Sequence, residues 1–142
     1  MKFLISYFYQ IRFFTPNMIP ISTAMFDPRW YKGSLRKDNR GVWIGINDSR
    51  FHPPIDCECP NCIDKDPTKC SFGRDYYNAI SKLNINEIID SYNKLAKKLE
   101  IESPIFVLIV HEDPTNPCSE RYSLIRWFKE NNIELKEFNK DG

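Results

Sequence analysis

Four of the chain's five cysteines, Cys57, Cys59, Cys62 and Cys70, fall within the stretch CECPNCIDKDPTKC. Thiolates crowded into a short segment can close around a soft cation at little entropic cost, and four of them meet the tetrahedral demand of Zn²⁺. Pro60 and Asn61, between Cys59 and Cys62, suit the tight turn of a C-x2-C pair. The spacing C-x-C-x2-C-x7-C therefore predicts a structural zinc site that holds a loop and leaves no coordination position open for catalysis. The same residues admit other readings: an iron–sulfur cluster, disulfides or a redox pair, or cysteines without metal. Disulfides within the segment leave Cys118 odd and require an oxidising compartment, for which the sequence carries no address.

A second group of reactive side chains follows the apolar run IFVLIV at residues 105–110: His111, Glu112, Asp113, Cys118, Ser119 and Arg121. Loops after parallel strands are where open α/β sheets bind ligands. A helix starting at Ser119 would present free amides and a positive dipole end to an anion, and Arg121 could grip phosphate or carboxylate with two donors. The same field favours a thiolate at Cys118, a candidate nucleophile, with Glu112 as acid or base and His111 as an alternative base. Each residue also has a plainer role: Cys118 as a small buried side chain, Glu112 and Asp113 in a turn, Arg121 in a surface ion pair, and His111 in a local hydrogen bond.

A third group, Arg29, Trp30, Tyr31, Arg36, Lys37 and Arg40, mixes rings with cations in one loop. Those are the ingredients for stacking a base and touching phosphate, and equally those of a solvated loop around a partly buried tryptophan.

The elements that must position these groups are legible in outline. Lys2 to Phe8 and Met18 to Thr23 read as strands, the second at an edge or bent because Pro20 has no amide hydrogen. Val42 to Ile46 reads as a third strand. Asp75 to Leu83 and Asn86 to Leu99 read as helices, the latter with Ile88, Ile89, Tyr92, Leu95, Ala96 and Leu99 on one face and Asn84 or Asn86 as cap. IFVLIV, apolar throughout, is the pattern of a strand buried on both faces and so of the sheet centre. Ser119 to Asn131 reads as a third helix with Tyr122, Leu124, Ile125 and Phe128 inward, and Ile133 to Phe138 as a last strand. Strands alternating with helices predict one α/β domain over residues 1–142 with a mainly parallel sheet.

Composition sets the outer bounds. At 142 residues the chain is one domain in size, and 42% hydrophobic with 27% charged residues argues against disorder. Lys and Arg (20) nearly balance Asp and Glu (19), which removes the strongest argument for bulk nucleic-acid binding, so nucleic acid is a partner that net charge does not favour and a local basic groove stays open. The apolar N-terminus carries Ser6, Tyr7, Tyr9, Gln10 and Arg12 and no small-residue cleavage site, so it reads as a strand and not a signal peptide; no run is long enough for a membrane helix. A cytoplasmic protein with reduced thiols is the expectation.

The segment HEDPTNPCSERYSLIRWFKENNIELKEF behind IFVLIV resembles the C-terminal signature of the uncharacterised family designated domain of unknown function 488, as do the Ile-Ser of PISTA and the Tyr76-Tyr77 pair. The likeness is good over residues 105–138 and loose elsewhere, with the cysteine-rich segment as an insert. It implies an α/β fold and matches Glu112, Cys118 and Arg121 to the family's acid, cysteine and arginine. Where the family has Cys-His-Arg, this chain reads Cys-Ser-Glu-Arg, without the histidine and with one extra residue.

Two functional readings follow. One is a small enzyme or binding protein for a phosphorylated or nucleotide-like anion held at Ser119 and Arg121. The other is a module that binds nucleic acid or protein through the zinc loop and the 29–40 loop.

Overall fold

The computed structural model describes residues 2–54, 71–116 and 118–142. Four strands, β1 (Lys2–Tyr7), β2 (Met18–Ser22), β5 (Ile105–Val110) and β6 (Lys136–Glu137), form a sheet in the order β2-β5-β1-β6, and every pairing in it is parallel. IFVLIV is central, as its unbroken apolarity demands. Pro20 sits in β2 at the sheet edge, where its missing donor costs no ladder bond on the open side. The other two strands, β3 (Arg36–Lys37) and β4 (Trp43–Ile44), form a separate antiparallel pair. The expected third strand is therefore shorter than Val42 to Ile46 and lies outside the main sheet; Gly45 ends it at φ 106°.

Helices α1 (Ser71–Ile80), α2 (Ile85–Lys98) and α3 (Arg121–Glu130) pack on one face of the sheet. Phe3 and Ile5 of β1 with Phe106 and Leu108 of β5 meet Tyr76, Ile80, Ile88, Tyr92, Leu124 and Phe128 there. On the opposite face, with Leu4, Val107 and Ile109, the described residues place no α-helix: the 3-10 turn at Phe8–Phe13 with Phe14, the loop after β2 and the β3–β4 turn supply Ile11, Phe14, Tyr31 and Val42. Asn84 caps α2, its side chain accepting from the amides of Asn86 and Glu87.

The inward face of α3 differs from the expected one. Arg121, Ser123, Leu124, Trp127 and Phe128 are buried, while Tyr122 and Ile125 are only partly so. The face is turned toward Trp127 because α3 also packs on α1, where Ser123 donates to the Gly73 carbonyl at 2.9 Å, and on the 3-10 turn Ser49–Phe51, where Trp127 sits 6.1 Å from the Phe51 ring. Among the described residues no helix is long and apolar enough to cross a membrane.

Candidate functional site

The carboxyl ends of β1, β2, β5 and β6 lie on one side of the sheet, because all four run parallel in register. Loops leaving β2 and β5 meet the start of α3 there, around a pocket of about 110 Å³. Ala24, Met25 and Phe26 line it from the β2 side, His111 and Glu112 from the β5 side, Cys118 and Glu120 from the approach to α3, and Pro53 with Phe72 complete it.

Local sequence explains why the loops converge. Thr23 donates both its amide and its hydroxyl to the Ile109 carbonyl, at 3.0 and 2.9 Å, so the chain beyond β2 stays against β5. Ser22 Oγ donates to Asp27 at 2.5 Å and accepts the Ala24 amide, folding the next residues back over the strand end. His111 Nε2 lies 2.6 Å from the Phe26 carbonyl. A carbonyl only accepts, so that nitrogen carries the proton and Nδ1 of the neutral ring is left as a base. Ser22 and Thr23, though near the site, are fully buried and serve as its frame.

Glu120 is the residue that sequence reasoning missed as a functional group. It is 94% buried, being 6% exposed, yet it lines the pocket beside Glu112. Burial first, and then the neighbouring Glu112 carboxylate, raise its pKa to about 7. Two carboxyls within hydrogen-bonding reach in a place of low dielectric do not both ionise readily. Glu112 Oε1 is buried and meets no donor among the described residues, so a proton carried by Glu120 provides one to the Glu112 carboxylate. The signal available in the sequence was the spacing alone, an acid two residues after Cys118.

Arg121 is 1% exposed and does not line this pocket. Its Nε donates to Glu137, its Nη1 to the Glu112 carbonyl at 2.8 Å, and its Nη2 is buried with no partner among the described residues. Ser119 Oγ accepts the Arg121 amide at 3.1 Å, and α3 begins at Arg121 and not at Ser119, with Glu120 at its N-cap position making no side-chain capping bond. Cys118 is buried and its amide donates to Asn116; its sulfur is disulfide-bonded. Asp113 accepts from Thr115 at the surface, outside the pocket.

Two cations of the 29–40 loop, Arg36 and Arg40, are also occupied. Arg36 donates to the carbonyls of Trp30 and Ser34, both at 2.8 Å, and Arg40 to those of Ile11, Phe14 and Arg12 while pairing with Asp38. They hold loops together. Cys57, Cys59, Cys62 and Cys70 lie outside the described residues, and among the described residues no group of three or more His, Cys, Asp or Glu could hold a metal ion. No protein-family model matches the chain, and neither a curated protein nor a solved structure matches it.

Proposed function

We propose that the pocket at the carboxyl end of the sheet is the acid–base site of a small enzyme, in which Glu120 and Glu112 share a proton. The single observation that carries the reading is the buried Glu120 carboxyl, raised to about 7 beside a second carboxylate in a cavity open to small molecules. A group that titrates near neutral pH can both give and accept a proton there, the condition for efficient general acid–base catalysis. His111 Nδ1 is a second base at the rim.

The paired carboxyls also set the ligand's chemistry. An anion entering beside them meets repulsion unless both are protonated, so the group that reacts is a neutral hydroxyl, amide or amine. This moves the anionic part of the expected ligand away from Ser119 and Arg121: the first accepts the Arg121 amide and the second positions Glu112 from behind. Cys118 as nucleophile needs its sulfur reduced, and the acid–base reading does not use it. The likeness to the uncharacterised family supports the fold and adds no activity. A structural zinc in the 57–70 segment remains our reading of its four thiolates once the disulfide that Cys118 forms is reduced, with the metal stabilising a loop and taking no part in proton transfer.

Carbon-detected NMR of the glutamate carboxyls across a pH titration tests the pair. Wild-type protein should show one carboxyl titrating near neutrality, that resonance should vanish in Glu120→Gln, and its midpoint should fall in Glu112→Gln. If every carboxyl titrates in the ordinary acidic range, the proposal fails. Hydrolysis of a panel of small esters, amides and glycosides gives the second readout, with any activity found dropping at least about 100-fold in Glu120→Gln.

A further inference from the structure

A second cavity, of about 370 Å³, lies on the sheet face opposite α1, α2 and α3, between the Phe8–Phe13 turn and the loop after β2. We infer that it is a binding site for a mononucleotide, with the base stacked between Tyr9 and Trp30 and the phosphate on Arg12.

Both walls are aromatic and half exposed: Tyr9 at 53% and Trp30 at 50%. Trp30 is held rigid, because its indole stands edge-on to the rings of Phe8, at 6.3 Å and 90°, and Tyr31, at 5.9 Å and 87°. A preorganised aromatic face loses little conformational entropy when a planar ring stacks on it. Arg12 lies flat on Tyr9, 3.6 Å from the ring centroid, and its Nε donates to the Tyr9 carbonyl at 2.9 Å. Its two terminal nitrogens meet no carboxylate among the described residues, and they form the fork that matches a phosphate. The other lining charges, Arg40 and Asp38, pair at 2.9 Å and cancel. Asn39, exposed at the rim, offers a donor and an acceptor to a base edge.

Charge and volume decide between a mononucleotide and a strand. The cavity falls in the range of roughly 300–1,000 Å³ typical of small-molecule sites. Its lining carries one unpaired cation, and Arg36 and Arg40, which a strand would need for further phosphates, are bound to backbone carbonyls. The inference stands apart from the acid–base reading: Phe8 lines this cavity and packs on His111 of the pocket, ring centroids 5.0 Å apart, so the two sites share a wall and no ionising group.

Calorimetric titration with adenosine monophosphate, adenosine and ribose 5-phosphate, together with quenching of tryptophan emission, tests the site on the full chain. The expected result is one mononucleotide per chain, affinity at least about tenfold lower in Trp30→Ala and in Arg12→Gln, retention in Trp30→Phe, and no change in Glu120→Gln. Adenosine and ribose 5-phosphate should each bind more weakly than the combined ligand. The inference is overturned if adenosine monophosphate fails to bind at millimolar concentration, if binding survives both Trp30→Ala and Arg12→Gln, or if a short single-stranded oligonucleotide binds more tightly than the mononucleotide. Loss of affinity in Glu120→Gln would place the ligand in the other pocket and overturn it equally.

Discussion

Arg121 donates its Nε–H to Glu137 and its Nη1–H to the carbonyl of Glu112, so one buried guanidinium ties the start of α3 both to β6 and to the turn that follows β5. The Glu112 carboxyl hangs from that turn. Arg121 therefore sets the position of one member of the carboxyl pair without facing the ligand, and it also places a compensating positive charge near Glu120.

Removing that guanidinium should cost stability. Arg121→Ala leaves a cavity and strips the Glu112 carbonyl of its donor, a loss of about 2–4 kcal/mol in urea unfolding. Glu137→Gln should cost less, because Glu137 is a third exposed and water can replace part of what it provides. Lysine at position 121 should not restore the wild-type value, since a single ammonium on a flexible stem cannot make both contacts with the arginine's geometry. A midpoint for Arg121→Ala within about 0.5 kcal/mol of wild type would rule out this stapling role.

Glu120 gives stability a pH dependence of definite sign. In the folded chain its carboxyl keeps a proton up to about pH 7, whereas an unfolded-chain glutamate loses it near 4.5. Between those values the folded state binds more protons than the unfolded one, so stability is greatest below the unfolded value and falls as pH rises through the folded one. The loss is on the order of 3 kcal/mol. Thermal unfolding from pH 4 to pH 8 should show this decline in wild type and a flatter curve in Glu120→Gln, with the variant the more stable of the two above neutrality. Parallel curves would mean that Glu120 is not held protonated.

How far the sequence reached depends on which force sets each feature. The parallel sheet, the centrality of IFVLIV and the edge position of Pro20 follow from burial and hydrogen-bond supply, and both are written in residue types. The cap at Asn84 and the Ile88, Tyr92, Ala96 face of α2 were legible for the same reason. The face of α3 was not, because its rotation is set by α1, which lies some fifty residues away in the chain. At the candidate site the loops could be listed, but not the direction in which each side chain points. Glu120 turns inward and Arg121 turns away from the pocket toward β6, whose Glu137 gave no sign in one dimension of being its partner. Arg36 and Arg40 look like phosphate ligands in the sequence and are spent on carbonyls in the fold, a choice made by backbone geometry that composition does not encode.

Of Gly33, Gly41, Gly45 and Gly142, Gly45 is the one with least room for a side chain. Its φ of 106° lies in the region that side chains rarely adopt, and a Cβ there would come within 2.8 Å of the Ser34 carbonyl oxygen and 3.0 Å of that of Gly33. Those carbonyls belong to the turn that also receives Arg36, so the loop beside Trp30 cannot move aside without losing these bonds. Gly45→Ala should lower stability by at least about 2 kcal/mol and weaken any ligand held against Trp30. Gly142→Ala, where a Cβ meets nothing within 4 Å, is the control and should be silent.

The cysteine segment makes a prediction that rests on ligand chemistry. A four-thiolate zinc site requires every ligand deprotonated, so its metal should be lost to chelators and as pH falls, and its binding energy should appear as folding stability. Elemental analysis of untagged protein kept reduced, so that the Cys118 disulfide is open, should find one zinc per chain, absent in Cys59→Ser together with a drop in Tm. Cys118→Ser separates the two groups of sulfur. If the ligands are Cys57, Cys59, Cys62 and Cys70, zinc content is unchanged in that variant; loss of zinc there would instead make Cys118 a ligand and join the metal loop to the wall of the acid–base pocket. Protein that carries no metal under reducing conditions would overturn the structural-zinc reading and leave thiol–disulfide exchange as the chemistry that explains so dense a cluster.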